Sequence, residues 1–395
     1  MKLKQALNSF GVKSVDIEKV FKTALRNGGV LAELFFENTA STRVIFEGGR
    51  LDRVTDGIDR GVGLRILFDG RSVYGYTTEL TEISLLRLAE TLSEAVIGKK
   101  GSSKSNSAKE IEWQTARQSH KSIADYKELG KMAAQRVGVL LGAKPAPSGT
   151  MPVVLASEAG GTMIHEAVGH GLEADLACNG LSVYEGKLGQ KVASPLITVM
   201  DDGTLAGKRG SYSFDDEGTP AQPSTLIEQG VLKSYMVDRL SALKFDLMAT
   251  GNGRRESFRH KPIVRMTNTY IAPGKDDPEK ILKDTDWGVF VKAMGGGQVN
   301  TVTGDFVFAV TEGYLIRNGK LAEPIRGATL VGNGPKVLSI VDRVGNDLGF
   351  STGTCGKDGQ GAPVTDAQPT LRIPELTVGG EVPVGTYWKK DSAGN

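Results

Sequence analysis

Cysteine is scarce in this chain: 395 residues include two, Cys178 and Cys355. Two thiols cannot build a disulfide framework, so a reducing cytoplasm is the expected compartment. Aromatic residues make up 6%, and no apolar run is long enough to span a bilayer, which excludes a helical membrane protein. Residues 1–9 carry lysine but no apolar core behind it, which argues against a secretory signal. Charge of either sign is nearly cancelled: Lys+Arg 48 against Asp+Glu 46 leaves +2, so no bulk field draws in nucleic acid or an acidic membrane. No basic-aromatic cluster marks a nucleic-acid surface either. What is abundant is glycine, 51 residues or about 13% against a usual ~7%. It follows no Gly-X-Y period, so collagen is excluded and many tight turns are expected.

The length suggests two or three domains, and no fixed-period repeat points to a solenoid or propeller. Residues 1–100 read as a small α+β domain. A helix is expected over 15–25, strands over 30–36, 41–46 and 61–68, a hairpin turn at Asp69-Gly70 into a strand over 72–77, and a helix over 82–96. Residues 101–149 hold a Ser-, Gly- and Lys-rich linker (101–109) and a long amphipathic helix (123–141) that ends before Pro145 and Pro147. From 150 to 395 the pattern changes. A buried-strand run (151–155) is followed by a helical interruption, then by short apolar runs separated by pairs such as Asp202-Gly203, Gln229-Gly230 and Asn318-Gly319. The expected fold class is therefore α+β, with the small N-terminal domain followed by a larger antiparallel β-rich domain that carries a helix with metal-binding character.

That helix holds two of the four histidines of the chain (His120, His165, His170, His260) within six residues, His165-Glu166-Ala167-Val168-Gly169-His170. In the His-Glu-x-x-His zinc peptidase pattern the histidines lie at i and i+4 on one face, and the glutamate is the general base. Here one residue more intervenes. At about 100° per residue, i and i+5 diverge by ~140° on a regular α-helix, and both imidazoles cannot reach one ion. A π-turn would realign them; a helix ending at Gly169 would re-aim His170. Distorted helical geometry is expected between Glu166 and Gly171. A third ligand has two candidates. Cys355 lies in a glycine-flanked loop, Gly353-Thr-Cys-Gly356, and Cys178 lies eight residues past His170. Either thiolate would complete a three-ligand site with an open position, and spacing does not choose between them.

The segment His165-Glu-Ala-Val-Gly-His-Gly-Leu-Glu-Ala-Asp175 resembles the signature of the TldD/PmbA family of metallopeptidases. So do Asp59-Arg-Gly-Val-Gly-Leu-Arg65, Asp215-Asp-Glu-Gly-Thr-Pro220, Gly251-Asn-Gly-Arg-Arg-Glu-Ser257, Arg265-Met-Thr-Asn-Thr-Tyr270, Gly295-Gly-Gly-Gln298, Val344-Gly-Asn-Asp-Leu348, Cys355-Gly-Lys-Asp-Gly-Gln360, Gln368-Pro-Thr-Leu-Arg372 and Leu376-Thr-Val-Gly-Gly380. The resemblance implies a zinc peptidase acting on unstructured or extended peptides, with one Zn2+ per chain. It implies His165, His170 and Cys355 as metal ligands and Glu166 as the catalytic glutamate. It further implies a dimer, formed with a second copy or with a TldE/PmbA-type subunit that lacks the metal motif. The segment joining the two domains is shorter here than in the larger members.

On this reading a zinc-bound water is brought to a pKa of ~7, Glu166 moves its proton to the leaving amine, and Arg254, Arg255 or Tyr270 offers a further oxyanion donor. Thr162, Glu173 and Asp175 are candidates for holding the imidazole N–H groups. The Gly295-Gly296-Gly297 run lacks the Lys-Ser/Thr of a P-loop and suits a hairpin or a close approach of substrate backbone. The competing readings are a non-catalytic subunit stabilised by metal and a regulator-binding protein.

Overall fold

The computed structural model describes residues 5, 7–8, 10–12, 15–96 and 126–388. The linker expected at 101–109, the start of the helix expected at 123 and His120 lie outside the described residues. The N-terminal unit is a three-stranded antiparallel sheet, β1 (Leu31–Glu47), β2 (Arg50–Phe68) and β3 (Arg71–Thr77), covered by α1 (Ile17–Ala24) and α2 (Glu82–Glu94). Each helix starts where a side chain satisfies a free N–H: Asp16 accepts from Lys19 and Thr81 from Ser84. Val20 and Ala24 of α1 and Leu85, Ala89 and Leu92 of α2 pack on Val62, Leu64 and Ile66 of β2.

Where the sequence suggests two short strands over 30–46, the structure has one. β1 runs unbroken through Glu37-Asn-Thr-Ala40, and β2 begins eleven residues before the expected 61. Gly48 and Gly49, at φ 59 and 76, close the hairpin. Beyond β3, the distal parts of β1 and β2 form a projecting two-stranded ribbon. The hydrophobic pattern marked this ribbon over 41–46 and missed the rest, the polar run Glu37-Asn38-Thr39 and the charge-rich stretch 50–60.

The rest of the chain contains β4 (Pro147–Leu155), β5 (Val199–Asp202), β6 (Pro223–Glu228), β7 (Val231–Leu232), β8 (Asn268–Ile271), β9 (Trp287–Val299), β10 (Asp305–Arg317), β11 (Lys320–Arg326), β12 (Thr329–Asn333), β13 (Gly349–Lys357), β14 (Gln360–Gln368) and β15 (Leu371–Gly379). Five strands close a barrel in the order β9-β4-β15-β12-β10 and back to β9. Val153, Leu155, Val289, Val291, Leu315, Leu330 and Ile373 are buried in its core. A six-stranded sheet, ordered β13-β14-β8-β5-β6-β7, lies beside it. Pairing is mostly antiparallel, but β4 with β9 and β8 with β14 are parallel, because long crossovers join those strands.

Hairpins form at Gln229-Gly230, Asn318-Gly319 and Asp358-Gly359, where both residues have positive φ, as two-residue turns of this class require. Asp202-Gly203 departs from that expectation. Neither residue is left-handed, and Asp202 instead accepts from the backbone and hydroxyl of Thr204.

Three of the family-like segments far from the two histidines gather where the N-terminal sheet meets the larger unit. Arg65 is 1% exposed and pairs with Glu217, with Glu33 and Asp238 each 4.0 Å away. Arg255 pairs with Glu33, donates to Asp216 O at 2.9 Å and stacks over the Phe35 ring. Segments 59–65, 215–220 and 251–257 thus form a buried charged seam.

Candidate metal centre

The helix that follows β4 begins at Gly161, with no side-chain cap; Ser157 and Thr162 do not play the capping role their residue type suggests. After one α turn (Thr162–Ile164), residues His165–Gly169 form a π-turn and His170–Leu172 a 3₁₀ turn. The His170 N–H is bonded to His165 O, five residues back. The i, i+5 spacing is thereby accommodated as expected, and the two imidazoles lie 5.0 Å apart, edge to face. Two glycines make this possible. A Cβ on Gly169 would overlap the Met266 sulfur, and one on Gly161 would meet Ala367 N and the Asp366 side chain. The helix is therefore pressed directly onto β14, which carries Asp366.

The thiol comes from β13. Cys355 Sγ lies 3.5 Å from His170 Nε2, and the ligating atoms of His165, His170 and Cys355 are all within 4.8 Å of one another. Cys355 belongs to an edge strand. Its backbone carbonyl accepts from Arg265, a buried residue that also donates to Gln360 O at 3.1 Å and so ties down both arms of the β13–β14 hairpin. Cys178 is not part of the cluster, and His260 is engaged with Ser257 instead.

Both outer ring nitrogens are occupied. His165 Nδ1 is 2.8 Å from Asp366 and His170 Nδ1 is 3.0 Å from Glu173, which leaves each Nε2 for the cluster. Of the three residues proposed from sequence to hold the imidazoles, Glu173 does so. Asp175 is paired with Lys357 instead, and the Nδ1 partners of the two rings are Asp366 and Glu173, not Thr162. Asp366 was not singled out; its signal is an acid within a strand, Gln360–Gln368, that is otherwise largely buried.

The donor set fits a zinc ion. Tetrahedral bonds of ~2.3 Å to sulfur and ~2.05 Å to nitrogen separate those atoms by about 3.6 Å, close to the 3.5 Å observed. Burial would raise the Cys355 thiol, but hydrogen bonds and charge from both histidines lower it to about 5. Among the described residues the cluster has three such side chains and no fourth. Zinc would thus retain an open position.

Glu166 lies beside the cluster, half-buried and without a hydrogen bond or ion pair among the described residues. Burial raises its pKa, against the lowering pull of His165 and His170. His165, Glu166, His170 and Cys355 line an open cavity of about 610 Å³, together with Gly297, Gln298 and Thr354. The glycine run at 295–297 is not a hairpin turn; it lies within β9, where the pairing with β10 is irregular, and its last residue faces the cavity. Arg254, Arg255 and Tyr270 are absent from the cavity wall: Arg254 donates to Met266 O at 2.6 Å, and Arg255 belongs to the charged seam. No helix among the described residues is long and apolar enough to cross a membrane.

Residues 148–380 match the family model for the PmbA/TldA metallopeptidase C-terminal domain, and residues 32–96 match that for domain 1 of the same metallopeptidases. The chain is 49% identical over 252 residues to the metalloprotease TldD homolog of Buchnera aphidicola, an alignment covering 63% of this chain and 52% of that protein. It is 32% identical over 255 residues to the zinc metalloprotease TldD homolog of Saccharolobus solfataricus, covering 64% and 57%. The chain spans about half the length of these curated relatives. The crystal structure of TldE from Thermococcus kodakarensis has a similar fold, with a TM-score of 0.69 at 15% identity over 92% of this chain and 100% of that one. With the C-terminal model matched over more than half of its length, the chain belongs to the PmbA/TldD family of metallopeptidases.

Proposed function

We propose that the chain is a zinc-dependent peptidase that hydrolyses unstructured peptides, with His165, His170 and Cys355 as ligands of one zinc and Glu166 as general base. The observation that carries this reading is the convergence of a thiol and two imidazoles, 185 residues apart between His170 and Cys355, beside a carboxylate with no hydrogen-bond or ion-pair partner among the described residues. Zinc held there would supply Lewis acidity and a water of lowered pKa. Glu166 takes the water's proton and hands it to the leaving amine, a task eased by a carboxyl whose proton affinity burial has raised. Asp366 and Glu173 keep the two imidazoles oriented. A purely structural site would close with a fourth protein ligand, and none is present among the described residues.

The demand for extended substrate follows from two strand edges. Past Val291, β9 has lost its β4 partner and pairs with β10 alone, and Gly297 and Gln298 of this stretch line the cavity. The strand bearing Cys355, β13, is the edge of the six-stranded sheet. An unfolded chain can add to such an edge through its backbone, which tolerates many sequences. The test is hydrolysis of one polypeptide in folded and unfolded states by wild type and Glu166→Gln. Expected are cleavage of the unfolded state alone and a roughly 10²- to 10⁴-fold loss in the variant with zinc retained. Equal cleavage of both states, or undiminished turnover, refutes the respective part of the reading.

The domain division belongs to this proposal: 1–100, the connecting 101–149, and the catalytic 150–395. Support comes from separate apolar cores on the two sides and from the separate matches over 32–96 and 148–380. So does a cytoplasmic location, supported by two unpaired thiols. The second subunit, another copy or a TldE/PmbA-type chain, is offered a surface by the β1–β2 ribbon. Cross-strand pairs Ala40/Ile58, Val44/Val54 and Phe46/Leu51 share one face, and five of those six side chains are exposed large apolar groups. A two-stranded ribbon with such a face is marginal alone. Phe46→Asp is expected to dissociate the assembly in light scattering while the fold persists; an unchanged mass would remove the ribbon from the interface.

A further inference from the structure

Cys355 and Lys357 lie two apart on β13, so their side chains leave the strand on the same face. Cys355 reaches the imidazole cluster. Lys357, 8% exposed at its side chain, reaches behind it. Its ammonium lies 3.0 Å from Glu173 Oε2, 2.7 Å from each oxygen of Asp175 and 3.1 Å from Val264 O. The Glu173 side chain is fully buried, and the same Oε2 is 3.0 Å from His170 Nδ1. Its other oxygen, Oε1, has no hydrogen-bond partner among the described residues. One carboxylate oxygen therefore serves both the imidazole and the ammonium.

We infer that Lys357 is a positioning residue of the metal centre: clamped by Asp175, it holds the Glu173 carboxylate against His170 Nδ1 and so directs His170 Nε2 at the ion. The inference rests on the proposed ligand set. A buried carboxylate without a countercharge is unstable, and Lys357 is the Lys or Arg side chain that contacts Glu173 among the described residues. A carboxylate can only accept a hydrogen bond, which obliges His170 Nδ1 to donate and leaves Nε2 with its lone pair. The strand that delivers the thiol thus also delivers the group that fixes the tautomer and tilt of a second ligand. A displacement of β13 would disturb both together. Asp175 has a role in this arrangement although it touches neither histidine.

The test is zinc affinity, measured on the full chain by competition with a chromophoric chelator, for wild type, Lys357→Met, Glu173→Gln and the double variant. Lys357→Met should weaken zinc binding by roughly 10- to 100-fold. If the lysine acts through Glu173, the double variant should bind zinc no more weakly than Glu173→Gln alone, because a neutral glutamine needs no countercharge. Wild-type affinity in folded Lys357→Met, or losses that multiply in the double variant, overturns the inference. Should Lys357→Met fail to fold, recovery of the fold in the double variant supports it, and failure of both counts against it. Absence of zinc binding in wild type would instead sink the ligand assignment itself, which keeps the two failures distinguishable.

Discussion

At the scale of single residues, the centre is a problem in aiming side chains. For the proposed ligands, an imidazole needs its second nitrogen held, and the two histidines have acids of different origins: Glu173 is three residues away, Asp366 is 201 residues away on β14. Local spacing made Glu173 readable and hid Asp366. Substitution Asp366→Asn preserves shape but removes the charge that favours His165 as a donor. It should weaken zinc binding by roughly 10- to 100-fold, measured by chelator competition, with little change in melting temperature of the metal-free protein. Retention of full affinity would show that His165 is oriented by packing alone. Arg254 and Arg255 illustrate the opposite lesson. Arginines in a glycine-rich segment look available for oxyanion binding, yet burial commits both to backbone carbonyls and carboxylates of the fold.

At the scale of elements, the decisive feature is the π-turn over His165–Gly169. Its existence could be reasoned from spacing, since i and i+5 diverge on a regular helix; which distortion was adopted could not. Gly169 is held against Met266, so the turn is stabilised by contact with a segment nearly one hundred residues on. Gly169→Ala should force these apart, costing about 1–3 kcal/mol and weakening metal binding through displacement of His170. Because the obstructing atoms belong to a flexible side chain, the added substitution Met266→Ala should recover part of both losses, read by thermal melting and zinc titration. No recovery would locate the fault in the backbone of the turn. The β1–β2 ribbon is the counterpart among strands. Its distal half is exposed on both strands, so hydrophobic alternation, which chiefly reports burial, marked residues 41–46 but not the full length of the hairpin.

At the scale of the whole molecule, the N-terminal sheet and the larger unit meet through buried charge as well as apolar surface. Arg65, on β2, pairs with Glu217 across 152 residues of sequence. Arg65→Met would leave that carboxylate buried without its cation, which typically costs about 3–5 kcal/mol. The expected outcome is earlier release of the N-terminal unit in limited proteolysis, with zinc content unchanged; an unaltered cleavage pattern would mean that the apolar contacts suffice. Read alone, the sequence was enough to determine the α+β class, the β-rich character after residue 150, the distorted His-Glu-x-x-x-His helix and the short list of thiols. These are consequences of local periodicity, turn chemistry and side-chain type, all expressed within a few residues. Spacing left Cys355 and Cys178 level and the resemblance implied Cys355; only the tertiary structure shows that Cys355 meets the histidines, that Asp366 and Lys357 lie behind the site, and that the barrel closes through β9 and β10. Those outcomes depend on strand pairing between distant segments, whose register is set by packing of the whole core and leaves no mark in any short stretch of chain.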